Sequence, residues 1–407
     1  MTPVSPSPQA AGAAALCHLA RSQKLLVCVG SGGVGKTTTA ASVALWAALA
    51  GRRVLVLTID PARRLANSLG LTEIGNTEVR IPLERLMEAE GPQADGSPGS
   101  SAKPGGELWA MMLDPKSTLD DVISRVSKDD ATRDAIFQNR IYRQIAGSFS
   151  GSQEYMATER LYDVYGSGRY DLIVLDTPPV KNALDFLEAP GRLSRFLDRQ
   201  VMKWFLTPPE DDSGVSKRLM LGTSAVVYRL LGHIFGREFL KELSVFFTLF
   251  RDLYDGMRER HEAVGRIFGD GRTTFVVVSA PNEPSVDVAT FFLHELRQRK
   301  LRVGAVVVNQ LHRARLVNPD VDALIGRPAR ELSPTLAAQM LARLGAAHRR
   351  LRDLAALERQ WVARLTIEAV GPGGVGLPMV EVDRQAAEVH DLAGLLGLHR
   401  WLFESRT

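Results

Sequence analysis

Cysteine is nearly absent from the chain: Cys17 and Cys28 are the two present in 407 residues, and they form no CxxC pair. A disulfide framework and a cysteine-rich zinc site both lack their ligands, so the chain reads as cytoplasmic. Long apolar runs are missing too. No uncharged stretch reaches the roughly 18 residues of a membrane span, and the first 20 residues carry no basic segment ahead of an apolar core, which disfavours secretion and membrane spanning. Nor is there much excess of one charge. Lys plus Arg number 50 against 46 for Asp plus Glu, a formal charge of +4, too small on so long a chain to imply a nucleic-acid surface. What remains is 45% hydrophobic, 24% charged and 7% aromatic, the make-up of a globular protein with one or two domains.

Strand-length apolar runs punctuate the sequence. Lys24 to Val29 (KLLVCV) and Arg53 to Ile59 (RVLVLTI) flank a segment of helical character, and Gly51 falls where a helix C-terminus ends. Further runs lie at Leu108 to Leu113, Tyr170 to Leu175, Thr274 to Ser279 and Val303 to Val308. Their alternation with helical stretches predicts an α/β fold, a mostly parallel sheet with helices on both faces. Residues 1–21 read as a flexible lead-in and 22–400 as a single domain, with a turn-rich, disordered loop at about 91–106 and a helical insertion at about 193–268. Within the insertion, Phe246, Phe247 and Phe250 suit either helix packing or an apolar groove for a client helix. Ser333 and Pro334 open a long helix.

The chemistry sits at Gly30 to Thr37, which fits GxxxxGK[ST] between a buried strand and a helix. Gly30, Gly32, Gly33 and Gly35 let backbone N–H groups curl around a phosphate, with Ser31, Val34 and Thr38 completing the loop. Lys36 neutralises the β and γ phosphates of a nucleoside triphosphate, and Thr37 offers a hydroxyl to Mg²⁺. The pattern therefore predicts a P-loop that takes ATP with Mg²⁺. Asp176, at the end of a strand and followed by Thr177 and Pro178, suits the carboxylate that holds the metal's water shell. Asp60 also ends a strand, in TIDPARRLANSLG, and either orients the attacking water or caps the helix that follows. Arg63 offers either a transition-state cation or a surface charge.

Four segments, GSGGVGKTT, TIDPARRLANSLG, DTPPVKNALDFLEAP and VVVNQL, together resemble the arsenical-pump and tail-anchored-protein-targeting ATPases, the ArsA and Get group within the deviant Walker A class. The resemblance spans about Lys24 to Leu398. It implies a P-loop NTPase that hydrolyses ATP to ADP and phosphate, with Asp60 activating water, Asp176 as the Walker B carboxylate and Asn309 recognising adenine. It also implies that the segments after Asp60 and Asp176 act as switches whose state controls a dimer or a client.

The chain departs from that pattern in three places. Ser31 stands where the group carries the lysine that reaches across a dimer, the zinc-clamp CxxC is missing, and so are the arsenite-sensing cysteines. The partners implied are accordingly a second copy or a related ATPase subunit supplying the missing lysine, and a protein client or membrane-protein partner, without a zinc clamp. Two rival readings stand beside the switch ATPase: a weakly catalytic subunit of a heteromeric complex, and a positioning ATPase of the ParA or MinD kind. The acidic nucleotide contact of the group falls at either Asn282 or Glu283.

Overall fold

The computed structural model describes residues 8–59, 64–69, 71, 75–83, 105–145, 152–178, 236–313, 334–371 and 374–404. Asp60, Arg63 and most of the 91–106 loop lie outside these, as does the insertion before residue 236. Eight strands form one sheet: β1 (Leu25–Gly30), β2 (Arg53–Thr58), β3 (Val79–Ile81), β4 (Glu107–Met112), β5 (Leu172–Asp176), β6 (Thr273–Ser279), β7 (Val303–Leu311) and β8 (Met379–Asp383). Their spatial order is β3-β4-β2-β5-β1-β6-β7-β8, and every pairing is parallel except β3 with β4. This is the α/β P-loop architecture that the alternating sequence predicts.

Each strand's two faces feed separate cores. Leu25, Val27 and Val29 of β1 point into one, Leu26 and Cys28 into the other, and β2 divides the same way between Leu55, Leu57 and Val54, Val56. Both faces of a parallel strand are covered, so its sequence is a run rather than an alternation. β1 and β5 are buried along their whole length.

One core is roofed by helices that include α1 (Pro8–Ser22) and α2 (Lys36–Leu49); a short α3 (Arg64–Ser68) follows β2. Between β4 and β5 run α4 (Pro115–Val126), α5 (Asp130–Gln138), α6 (Arg140–Ile145) and α7 (Ser152–Ser167). The chain then continues through α8 (Arg237–Gly269), α9 (Glu283–Gln298), α10 (Pro334–Ala369) and α11 (Leu392–Leu402). The other core lies under α4, α7, α8, α9 and the C-terminal part of α10. Side-chain caps start several of these helices: Asp114 Oδ1 accepts from Ser117 N at 2.8 Å, and Asp391 Oδ1 from Gly394 N at 2.7 Å.

The N-terminal segment differs from a lead-in. Residues 8–22 form a helix that buries Ala13, Leu16, Leu19 and Ala20 against the sheet. Gly12 makes the approach possible, because a Cβ there would lie 2.0 Å from Met379 O. Gln9 completes the docking, its Nε2 donating to Glu381 O at 3.1 Å and its Oε1 accepting from Glu381 N at 2.8 Å, so the helix covers the edge strand β8.

In the described part of the insertion, α8 buries Leu240, Phe246, Val264 and Phe268, which places Phe246 in the core; the side chains of Phe247 and Phe250 fall outside the described residues. Glu159 of α7, 1% exposed, forms an ion pair with Arg260 Nε of α8 at 2.8 Å. Among the described residues no helix is long and apolar enough to cross a membrane.

Candidate functional site

β1 runs out at Gly30 into a loop that re-enters the fold at Lys36, the first residue of α2. Three of its glycines hold backbone that other residues resist: φ is 156° at Gly30, 78° at Gly33 and 88° at Gly35. Two are also sterically pinned, since a Cβ on Gly30 would lie 2.0 Å from Val278 O and one on Gly35 would lie 2.2 Å from Asn309 Nδ2. Gly35 precedes the helix without a side-chain cap, leaving the first-turn N–H groups and the positive end of the α2 dipole directed at the cleft.

Lys36 is 7% exposed, and its Nζ donates to Ser31 O at 2.8 Å, across the mouth of the loop. Thr37 Oγ1 donates to Asp176 Oδ2 at 2.7 Å, and Thr58 Oγ1 donates to the same oxygen at 2.9 Å. Asp176 is 1% exposed at the carboxyl end of β5, beside the helix start, where the parallel register with β1 and β2 puts it. Thr37 has one hydroxyl hydrogen, and Asp176 takes it. What Oγ1 has left for the cleft is lone pairs, the hard oxygen donor that Mg²⁺ selects. The donor set therefore fits that cation.

The loop's outer side is held by β7. Asn309 Nδ2 donates to Val34 O at 2.9 Å, and Gln310 Nε2 donates to Gly33 O at 3.0 Å from a backbone with φ 67°. Thr177 closes the floor, its Oγ1 donating to Cys28 O at 2.7 Å. Burial pushes the Cys28 thiol up, with the Asp176 charge adding to the effect, so this cysteine stays protonated and inert. A cleft of about 610 Å³ opens here, lined by Lys36, Thr37, Asn309, Gln310, Arg384 and His390 among others.

The structure thus gathers Gly33, Gly35, Lys36, Thr37, Thr38 and Asn309 at one cleft, with Asp176 beneath Thr37, and Gly30 and Ser31 at the loop's entry. Asp60 lies outside the described residues; its neighbour Ile59 donates its N–H to Asp176 O at 3.1 Å. Asn282 caps α9, accepting from Ser285 N at 3.1 Å, and neither it nor Glu283 lines the cleft. Sequence reasoning missed Thr58, Gln310, Ser285 and the wall at 384–390. For Thr58 a signal existed, a lone hydroxyl ending a buried apolar strand; for the wall, the residues after β8 carry no motif.

Comparison with known proteins places this geometry. Residues 23–324 match the family model described as anion-transporting ATPase, well over half of the chain. An ATPase get3 of Aspergillus terreus is 28% identical over 284 residues, covering 69% of this chain and 71% of the relative. ATPase GET3 of Podospora anserina is 25% identical over 292 residues (72% and 74%), and that of Malassezia globosa 26% over 295 (72% and 73%). A phosphate loop at the carboxyl edge of a parallel sheet and a family match across most of the chain agree: this chain belongs to the anion-transporting ATPase family and is an ATPase.

Proposed function

We propose that the chain is a Mg²⁺-dependent switch ATPase that works in the cytoplasm, the state of its nucleotide controlling a subunit or client interaction. The observation that carries this reading is the Thr37–Asp176–Thr58 cluster, a buried carboxylate that turns the Thr37 hydroxyl's lone pairs toward the phosphate cleft. The loop N–H groups and Lys36 hold the β and γ phosphates, and Asn309 meets the adenine. Mg²⁺ would be held by Thr37 directly and by Asp176 through water, supplying charge neutralisation at the phosphates. Asp60, one residue beyond the Ile59–Asp176 bond, accepts the proton side of the attacking water and orients it. Loss of the γ-phosphate releases the segments that follow Asp60 and Asp176.

A partner surface is supported by α10, where Leu336, Met340, Leu344, Leu351, Leu354 and Leu357 are each 37–49% exposed. A related ATPase subunit or an apolar client suits such a surface. A second reading, a slow subunit that needs a related partner, is favoured by one observation: residue 31 is a serine turned inward onto Ser285 at 3.1 Å, with no cation to offer across an interface.

The test is phosphate release from ATP, with Mg²⁺ and with EDTA, for the wild type and Asp60→Asn over a range of protein concentrations. Mg²⁺-dependent turnover that rises per molecule with concentration, together with an Asp60→Asn variant that binds ATP but is inert, supports the self-assembling switch. Tight ATP binding without turnover at any concentration refutes it in favour of the partner-dependent subunit.

A further inference from the structure

The two halves of the phosphate loop are braced by different elements. Asn309 and Gln310 of β7 hold the second half through Val34 O and Gly33 O. The first half leans on β6 and α9: Gly30 presses against Val278 O of β6, and Ser31 Oγ lies 3.1 Å from Ser285 Oγ in the first turn of α9. Ser285 is 7% exposed, and Asn282 fixes its backbone through the helix cap. α9 is itself anchored. Val286, Ala289 and Phe292 sit in the core, Arg364 Nη2 of α10 pairs with Asp287 Oδ1 at 2.7 Å, and Arg297 donates to the carbonyls of Glu368 and Ala369 at 2.9 and 3.0 Å. Ser285 is therefore a fixed post, and Ser31 the part that hangs on it.

The same residue, Ser31, presents its carbonyl to Lys36 Nζ at 2.8 Å. The hydroxyl–hydroxyl bond thus ties to the core, through one residue, both the entry of the loop and the resting place of the phosphate-binding lysine. We propose that Ser285 is a positioning residue for nucleotide binding, its hydroxyl clamping Ser31 so that the first half of the phosphate loop is preorganised for the β and γ phosphates. The inference rests on the nucleotide-binding role given to this loop. Ser285 touches no nucleotide in this scheme; it acts through Ser31. Preorganisation of that kind acts on substrate and transition state alike, so its loss raises the dissociation constant or KM and leaves kcat in place.

The experiment is Mg²⁺-ATP binding by calorimetry on the full chain, with steady-state kinetics wherever turnover is measurable. Loss of one hydrogen bond that water can partly replace at half-buried Ser31 predicts that Ser285→Ala weakens ATP binding by roughly 3- to 10-fold with kcat unchanged. Ser285→Thr restores the hydroxyl and the affinity. Ser31→Ala weakens binding by a similar factor, and the double variant is no weaker than either single one, because both remove the same bond. If Ser285→Ala and Ser31→Ala weaken binding multiplicatively when combined, or if Ser285→Ala lowers only the melting temperature and binds ATP as the wild type does, the clamp is refuted. A wild type that fails to take up ATP overturns the function beneath the proposal instead, so the two failures are distinct.

Discussion

Acid should loosen this fold through two buried histidines, and one of them can be removed almost without other consequence. His261 of α8 is 7% exposed, stacks on Tyr155 at 6.2 Å, and its Nδ1 has no hydrogen-bond partner among the described residues. Burial pushes its pKa down to about 4 from 6.5. His399 of α11 is likewise pushed down to about 4 by burial, against a partly offsetting contact of its Nε2 with Ser42 O at 3.1 Å. The unfolded chain takes up these protons near the ordinary histidine value, whereas the folded chain resists until about 4. The stability each neutral ring contributes is therefore complete above about pH 6.5 and is lost as pH falls through that window. Between about pH 7.5 and about pH 5 each histidine costs about 2 kcal/mol, from the difference in proton binding between the two states. Glu159 works the other way: burial raises its pKa despite Arg260, so it contributes stability at low pH that is lost as pH rises through its raised value. That opposing slope is common to wild type and variant and cancels in their difference. Urea unfolding at the two pH values, for wild type and His261→Phe, checks the sum. The phenyl ring keeps the stack on Tyr155, and the variant should lose about 2 kcal/mol less on acidification than the wild type. Equal losses in the two proteins would refute the argument that His261 is held neutral by burial.

Two further substitutions probe the core and the loop. Arg260→Met strips the partner from a carboxylate that is 1% exposed, and urea unfolding near neutral pH should show a loss of about 3–5 kcal/mol. Adding Glu159→Gln should recover part of that loss; no recovery would mean the ion pair is not its source. Gly35→Ala must adopt φ 88° and seat a methyl 2.2 Å from Asn309 Nδ2, which breaks the Asn309–Val34 bond. Left-handed backbone and one lost hydrogen bond together cost about 2–3 kcal/mol, measurable by the same unfolding experiment, and ATP binding should weaken by roughly 10-fold or more. Wild-type affinity in that variant would show that the loop tolerates a side chain at this pinned position.

The sheet was legible because parallel strands are buried on both faces. KLLVCV, RVLVLTI and VGAVVV are runs that little else in a globular chain requires. β3 and β8 were not: VRI is three residues long, and MVEVD alternates because Met379 and Glu381 at this edge stay partly exposed, so neither resembles a core strand. The helix at 8–22 hid behind alanine, whose small side chains reveal no amphipathic stripe yet let α1 lie flat on β7 and β8. In the candidate site, Lys36, Thr37 and Asp176 stand out in the sequence because the task proposed for each limits the residue type. Ser285 and Gln310 do not, because they serve the loop through contacts 254 and 277 residues away in sequence.

Those distant contacts explain how a chain of peptide dipoles becomes an anion site. Every peptide unit carries one acceptor and one donor, and a loop that offered both to the cleft would gain nothing from a phosphate. Here four of the loop's acceptors are spoken for: Ser31 O by Lys36, Gly33 O by Gln310, Val34 O by Asn309 and Gly35 O by the N–H of Thr39 at 2.9 Å. Engaging those four carbonyls weights what the loop presents toward N–H. One of these four acceptors is engaged by a side chain that the phosphate itself must recruit. In the proposed nucleotide complex the three donors of Lys36 are shared between Ser31 O and the γ-phosphate, and Ser285 gives Ser31 a second hold besides the lysine. The two amides of β7 hold their carbonyls whether or not a ligand is present, whereas the lysine divides its donors between loop and phosphate, and the proposed clamp at Ser285 keeps Ser31 in place as it does so.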